Sequence, residues 1–152
     1  MTFDICFRLD CSKQIGGGHL TRALQIREST FFSELKVLFI IKGEVSNLSY
    51  FDKDELLMIE EGLNINDESI LIKEKYNAKL VVIDAVHQYS LSNVLNFEEL
   101  VKLYKKVSKS IVIFDGVGIG SIYKSVDVDI DLLISPYLGG MKYHNVNHLL
   151  GK

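Results

Sequence analysis

A histidine that follows three consecutive glycines is the first candidate for chemistry in this chain. Residues 16–18 are all glycine and His19 comes next, between an apolar run over 3–9 and a segment over 20–32 with helical periodicity. Glycine lets a ligand approach the backbone closely because it has no Cβ. A helix start offers unpaired N–H groups and the positive end of a dipole, and histidine can pass a proton near neutral pH. The pattern predicts a strand–turn–helix unit with His19, a residue that can pass a proton, at the start of the helix.

Plainer interpretations of this turn exist. A dinucleotide-binding fingerprint needs a third glycine at the position that Thr21 occupies, so that motif is not met. A tight turn with a solvent-facing histidine is the other alternative, and Arg22 could then be a solvated helix charge. Polar side chains are nevertheless denser around the turn than a plain connection needs. They are Arg8, Asp10, Ser12, His19 and Arg22.

These residues belong to a longer motif. It reads Arg8-x-Asp10-x-Ser12-x-x-Ile15-Gly16-x-Gly18-His19-x-x-Arg22. This motif resembles the opening of the UDP-2,4-diacetamido-2,4,6-trideoxy-altropyranose hydrolases of pseudaminic acid biosynthesis, which are relatives of the GT-B glycosyltransferases. Weaker similarity continues along the chain and covers only the N-terminal half of such an enzyme.

The resemblance implies a single Rossmann-like domain of α/β class, a three-layer parallel sheet of the type that forms the first half of a GT-B pair. His19 matches the base that activates water for attack on the anomeric carbon, which releases UDP with inversion. Asp10 is near His19 in sequence and is expected to orient its ring. No cofactor is expected. The expected substrate-binding residues are Arg8, Ser12, Gly16, Gly17, Gly18, Arg22, Asp84 and Asp115.

The chain also departs from the family. The family tends to read Asp-x-Tyr where this chain has Asp84-Ala85-Val86, so His87 or Tyr89 is a possible substitute for the tyrosine. The 152 residues do not include the nucleotide-binding half. We therefore expect the isolated chain to be inactive and to need a second chain that carries that half.

Two other functions remain open at this stage. The chain could be half of a two-chain GT-B glycosyltransferase, which would transfer a sugar to an acceptor instead of to water. It could also be a non-catalytic binding or assembly module. The cleft face of a lone first domain is partly apolar, which predicts a homodimer or a hetero-complex. The residues expected on that face are Val86, Tyr89, Val117, Ile119 and Tyr137.

Composition sets limits on the class of protein. With 152 residues, 47% of them hydrophobic, the chain is long enough for one domain with a sizeable core. The net charge of −3 argues against broad attraction to nucleic acid. No apolar run reaches the roughly 20 residues of a membrane span, and the N-terminus lacks the basic stretch of a signal peptide. Cys6 and Cys11 do not form a disulfide framework, which favours a reducing, cytoplasmic setting.

Strand and helix patterns alternate along the chain, which predicts a parallel sheet with helices on both faces. The predicted strands cover 3–9, 35–41, 56–59, 79–84, 110–115 and 131–135. The predicted helices cover 18–32, 44–54, a segment that Asn66 or Asp67 caps and that ends at 76, and a segment from 96 to about 109. Residues 137–152 are predicted to be loop.

Three acids follow predicted strands, and their side chains could meet in one crevice at the carboxyl edge of the sheet. They are Asp10, Asp84 and Asp115, and the alternative is that each caps the next loop or helix. His144 and His148 have the spacing of one helical turn, but zinc would need further ligands. No metal site is predicted.

Overall fold

The computed structural model describes residues 1–13, 15–73, 75–85, 94–114, 129–135 and 147–150. Several residues named above lie outside this part of the chain, so their predicted roles stay predictions. They are Val86, His87, Tyr89, Asp115, Val117, Ile119, Tyr137 and His144.

Strands and helices alternate in the described residues, as the sequence predicts. The strands are β1 (Thr2–Cys11), β2 (Val37–Gly43), β3 (Leu56–Ile59), β4 (Asn77–Asp84), β5 (Ser108–Phe114), β6 (Leu132–Ser135) and β7 (Asn147–Leu150). The helices are α1 (Gly18–Glu28), α2 (Ile65–Lys73) and α3 (Val94–Lys105), with a short 3₁₀ helix at Leu48–Tyr50. No helix in the described ranges is long and apolar enough to cross a membrane.

The strands form one sheet in the order β3-β2-β1-β4-β5-β6-β7, and every neighbouring pair is parallel. The chain adds strands on one side of β1 and then, from β4 onward, on the other side. The carboxyl ends of β1 and β4 therefore flank the switch point of a Rossmann-like sheet, which is where open α/β sheets bind ligands. The predicted α/β fold is confirmed.

Helices cover both faces of the sheet and enclose two apolar cores. α1 contributes Leu20 and Ala23 to one core. α2 and α3 contribute Ile72 and Leu100 to the core on the opposite face. Central strands can be apolar throughout because both of their faces are buried, and Val37–Ile41 is an example. These three layers hold the turn after β1 at the carboxyl edge.

Some predicted boundaries are wrong for local reasons. α1 ends at Glu28 instead of residue 32, because Ser29 is extended and the Phe31 beyond it is 84% exposed, with no core to pack against. The predicted helix over 44–54 shrinks to the 3₁₀ turn, where the Asn47 side chain accepts from the Ser49 N–H.

Two further predictions fail on short-range patterns. The cap of α2 is Asn64, whose Oδ1 accepts from the Asp67 N–H at 3.0 Å, so neither Asn66 nor Asp67 caps this helix. Within the predicted loop over 137–152, residues 147–150 form β7, which pairs with β6. Only two of the four residues of β7 are apolar, so its pattern does not distinguish it from loop, whereas the four residues of the other edge strand, β3, are all apolar.

Candidate functional site

Ser12 stabilises the glycine turn through two hydrogen bonds. The Ser12 carbonyl accepts from the Gly16 N–H at 2.8 Å, and its hydroxyl accepts from the Ile15 N–H at 3.2 Å. Gly16 has a φ of +81°, a conformation that L side chains rarely adopt, so glycine is needed there. Among the described atoms, a Cβ placed at Gly17 or Gly18 would meet nothing within 4 Å. Packing against the described residues therefore does not require glycine at those two positions.

His19 lies in the first turn of α1 and contacts the last residue of β4. Its Nδ1 is 2.6 Å from Oδ1 of Asp84, and the two side chains are 7% and 3% exposed. The predicted catalytic histidine is therefore paired with an acid across the switch point, 65 residues away in sequence. With the Nδ1 proton donated to the carboxylate, Nε2 carries the lone pair that can accept a proton.

Arg22 completes this site from the next turn of α1. Its Nε donates to Oδ2 of Asp84 at 2.8 Å and its Nη2 donates to Oδ1 at 3.0 Å. The guanidinium also lies over the Phe114 ring, 4.9 Å from the ring centre. Arg22 is thus an anchor for the carboxylate that contacts His19, and we call His19, Arg22 and Asp84 the histidine site.

The prediction that Asp10 orients His19 is wrong. Oδ1 of Asp10 accepts from Nη1 of Arg8 at 2.8 Å, while the acid against His19 is Asp84. Alternate residues of a strand face opposite sides, and Leu9 and Cys11 face the α1 core. Asp10 therefore faces the α2 and α3 side, so Asp10 and Asp84 do not share one crevice.

Arg8 is the centre of a second ion cluster on that side. It is fully buried and donates from Nε to Oε1 of Glu68 at 2.7 Å and from Nη2 to Oε2 at 3.2 Å. The Tyr104 hydroxyl donates to the same Oε1 at 2.9 Å. We call Arg8, Asp10, Glu68 and Tyr104 the arginine cluster. Because Arg8 is sealed inside the domain, its placement suits a structural role better than the predicted substrate contact.

The two acids of the arginine cluster shift in opposite directions. Burial raises the pKa of Asp10, and its single hydrogen bond to Arg8 offsets this only in part. Arg8 bonds Oδ1, and Oδ2 of Asp10 has no hydrogen-bond partner among the described residues. Burial acts on Glu68 too, but the paired contact with Arg8 and the Tyr104 hydroxyl outweigh it and lower the pKa of Glu68.

Sequence reasoning missed Glu68, although a signal was present. Glu68 follows Ile65 by three residues and precedes Ile72 by four, so it lies on the apolar stripe of α2. An acid on such a stripe is buried and needs a cation. Arg8, which lies inside the apolar run of β1, is the cation with which such an acid could pair.

No group of three His, Cys, Asp or Glu side chains that could hold a metal ion occurs in the described ranges. Cys6 and Cys11 are both free and buried. Burial raises the pKa of each thiol, so neither is poised as a thiolate nucleophile.

The fold and the site together define a Rossmann-like α/β domain with a histidine–aspartate pair at the switch point of its sheet. A scan against protein-family models matches no family, and searches of the curated proteins and of the solved structures find no match. The features of the chain that bear on its function are therefore the geometry of the histidine site and the motif that surrounds it.

Proposed function

We propose that this domain is the base-bearing half of a nucleotide-sugar hydrolase that acts on a UDP-linked, sialic-acid-like sugar precursor. The observation that carries the proposal is the 2.6 Å contact between Nδ1 of His19 and Oδ1 of Asp84. A histidine held in this way has a fixed tautomer and a carboxylate beside the charge that forms when it takes a proton. Such a pair is suited to activating water.

In the proposed reaction, Nε2 of His19 accepts a proton from water while the water oxygen bonds to the anomeric carbon. The bond from that carbon to the UDP oxygen breaks, and UDP leaves with the electron pair, so the configuration inverts. Asp84 stabilises the imidazolium, and Arg22 keeps the carboxylate in place. The proton then passes to solvent, which restores the base.

The pyrophosphate of the substrate needs several donors. Arg8 and Arg22 are both paired with carboxylates, at 2.7 Å and 2.8 Å, so their positive charge is already balanced within the domain. We therefore propose that a nucleotide-binding half closes over the carboxyl edge in a GT-B arrangement and supplies those donors. The free thiols of Cys6 and Cys11 support a cytoplasmic setting for this activity.

The test is UDP release from UDP-2,4-diacetamido-2,4,6-trideoxy-altropyranose by the chain together with its nucleotide-binding half. His19→Asn should lower the rate by about 10²–10⁴-fold, because a general base contributes about that much. Lys79→Gln is the control, since Lys79 is exposed and pairs with Asp4 at the end of β4 opposite the histidine site.

Three results would contradict the proposal. A His19→Asn variant as fast as the parent would remove His19 from the mechanism. UDP release that required an acceptor would make the assembly a glycosyltransferase. No UDP release from the parent assembly would leave a binding or assembly module.

A further inference from the structure

The outer side of β3 is an open edge of the sheet. β3 is the first strand in the sheet order, and β2 is the only described strand that pairs with it. An edge of this kind presents backbone N–H and C=O groups with which another extended chain can pair. The ladder between β2 and β3 determines which groups of β3 point outward.

That ladder uses every second residue of β3. Leu56 is the register partner of Phe39, and the Phe39 N–H donates to the Glu55 carbonyl at 2.7 Å. The parallel hydrogen-bond pattern that continues from this bond directs the backbone groups of Leu57 toward β2. The N–H and C=O groups of Leu56 and Met58, one residue before and one residue after Leu57, therefore point away from the sheet.

The side chains of β3 give this edge an apolar surface. All four residues of the strand are apolar. Leu56 and Leu57 are partly buried against the cores on opposite faces of the sheet, and Met58 is 37% exposed. An added strand would therefore find backbone partners and apolar side chains at the same place.

Acidic residues lie on both sides of β3. Residues 52–61 contain five acids and one lysine, so this segment carries a formal charge of −4, and we call it the acidic edge. The whole chain carries −3, so the other residues together carry +1. Glu55 pairs with Arg27, and the other four acids of the segment are exposed. The exposed acids are Asp52, Asp54, Glu60 and Glu61.

A second copy of this chain is a poor occupant of the acidic edge. Antiparallel pairing of two copies, with Leu56 of one opposite Met58 of the other, would place Asp54 opposite Glu60 twice. Like charges directly opposite each other destabilise a strand pair. A strand with basic residues at both ends would meet charges of the opposite sign.

We infer that the acidic edge binds an extended segment of another protein, with apolar residues at its centre and lysine or arginine on both sides. The segment adds a strand to the sheet by pairing with the outward N–H and C=O groups of Leu56 and Met58. Its cations lie near Asp54 and Glu60. This inference is independent of the proposed function, because β2 separates the acidic edge from β1 and the histidine site.

The test is amide hydrogen exchange of the full chain, measured by NMR with and without a synthetic peptide. The peptide has alternating valine and threonine at its centre and two lysines at each end. It should slow exchange at Leu56 and Met58 and leave Leu57 and Ile59, which already pair with β2, unchanged. This alternation distinguishes an added strand from general electrostatic attachment. A peptide with the same centre and glutamate ends is the control and should protect no amide.

Two variants separate the backbone contribution from the charge contribution. Met58→Pro removes one outward N–H and no bond to β2, so it should weaken peptide binding by about 2–12-fold, the range for one hydrogen bond. Met58→Val keeps the N–H and should bind like the parent. Replacing Glu60 and Glu61 together by Gln should weaken binding by about 2–30-fold, the range for two exposed ion pairs. Glu34→Gln, at an exposed position outside the acidic edge, is the control for charge.

Several results would overturn the inference. They are no protection by the lysine peptide, equal protection of all the β3 amides, and equal binding of the glutamate peptide. Unchanged binding by Met58→Pro, or by the variant in which Gln replaces Glu60 and Glu61, would overturn it too. Protection of Leu56 and Met58 in a self-associated parent without peptide would make a second copy the occupant, which also contradicts the inference.

Discussion

The ends of β1 and β4 carry an arginine–carboxylate cluster on each face of the sheet, and the two clusters differ in their access to water. In the arginine cluster Arg8 and Glu68 are both 0% exposed. In the histidine site Arg22 is 24% exposed, although the Asp84 it binds is only 3% exposed. The same pair of ion types is thus sealed on the α2 and α3 side and reachable on the α1 side.

This difference separates structural from chemical use of the same groups. A buried ion pair needs full pairing, and Arg8 achieves it with two acids and the Leu9 carbonyl, to which Nη1 donates at 2.6 Å. Arg22 and Asp84 bond each other in a similar way, but the same carboxylate also contacts a histidine ring, which is a group that can transfer protons. Charge pairing alone does not mark a functional site.

The largest expected effect is a loss of stability when the arginine cluster, which is sealed from water, is disrupted. Glu68→Ala leaves the buried Arg8 charge without its main partner, so the free energy of unfolding should fall by about 3–5 kcal/mol. Glu61→Ala removes an exposed acid and should change it by no more than about 0.5 kcal/mol. Denaturant titration of both variants measures the difference. A loss below about 1 kcal/mol for Glu68→Ala would show that water reaches Arg8.

The second largest effect concerns the histidine site, where one substitution should change stability and activity to different extents. Asp84→Asn should lower the free energy of unfolding by about 1–3 kcal/mol, less than Glu68→Ala, because the released Arg22 can reach water. UDP release by the assembled enzyme should fall by about 10²–10⁴-fold, since the histidine loses its fixed tautomer.

Asp4→Asn is the control for that variant, because it removes an ion pair with Lys79 at the opposite end of β4. It should leave UDP release unchanged. A fully active Asp84→Asn variant would contradict the proposed difference between the two clusters. An Asp4→Asn variant that releases UDP as slowly as Asp84→Asn would contradict it too.

The smallest effect is a pair of opposite pH dependences within the arginine cluster. The pKa of Glu68 is lowered from its ordinary 4.5, so the stability it contributes is present above 4.5 and lost as pH falls through the lowered value. The pKa of Asp10 is raised from its ordinary 3.8, so its contribution is present below 3.8 and lost as pH rises through the raised value.

Between about pH 3 and pH 7, the stability of Glu68→Gln relative to the parent should therefore decrease with rising pH, and that of Asp10→Asn should increase. Denaturant midpoints across that range measure both trends. Slopes of the same sign would contradict the assignment of a paired acid at Glu68 and an incompletely paired acid at Asp10.

Much of the fold follows from local patterns. Runs such as Val81–Ile83 and Ile111–Ile113 are apolar and β-branched, which marks buried parallel strands, and the glycine turn marks the entry to α1. These features depend on neighbouring residues, so a single sequence contains them. β7 cannot be predicted in this way, because only two of its residues are apolar and its stability comes from pairing with β6.

The pairing of side chains within the site could be predicted only in part. His19 and Asp84 were both candidates, but Asp10 was assigned to His19 because it is near in sequence. The alternation of β1 argues otherwise, since Leu9 and Cys11 belong to the core under α1 and Asp10 between them must face away. The side of the sheet on which α1 packs decides this point, and it is a property of the assembled sheet.

The arginine cluster also has a consequence for how β1 finds its place during folding. Arg8 is in register with Ile40 of β2 and Ile83 of β4. A shift of β1 by one residue would turn its side chains to the opposite faces and place the guanidinium against the α1 core, far from Glu68. Long-range parallel pairing forms slowly and passes through many near-equivalent alignments of apolar strands. A buried charge that is paired in only one alignment destabilises the misaligned states. Arg8 therefore helps to fix the register of β1.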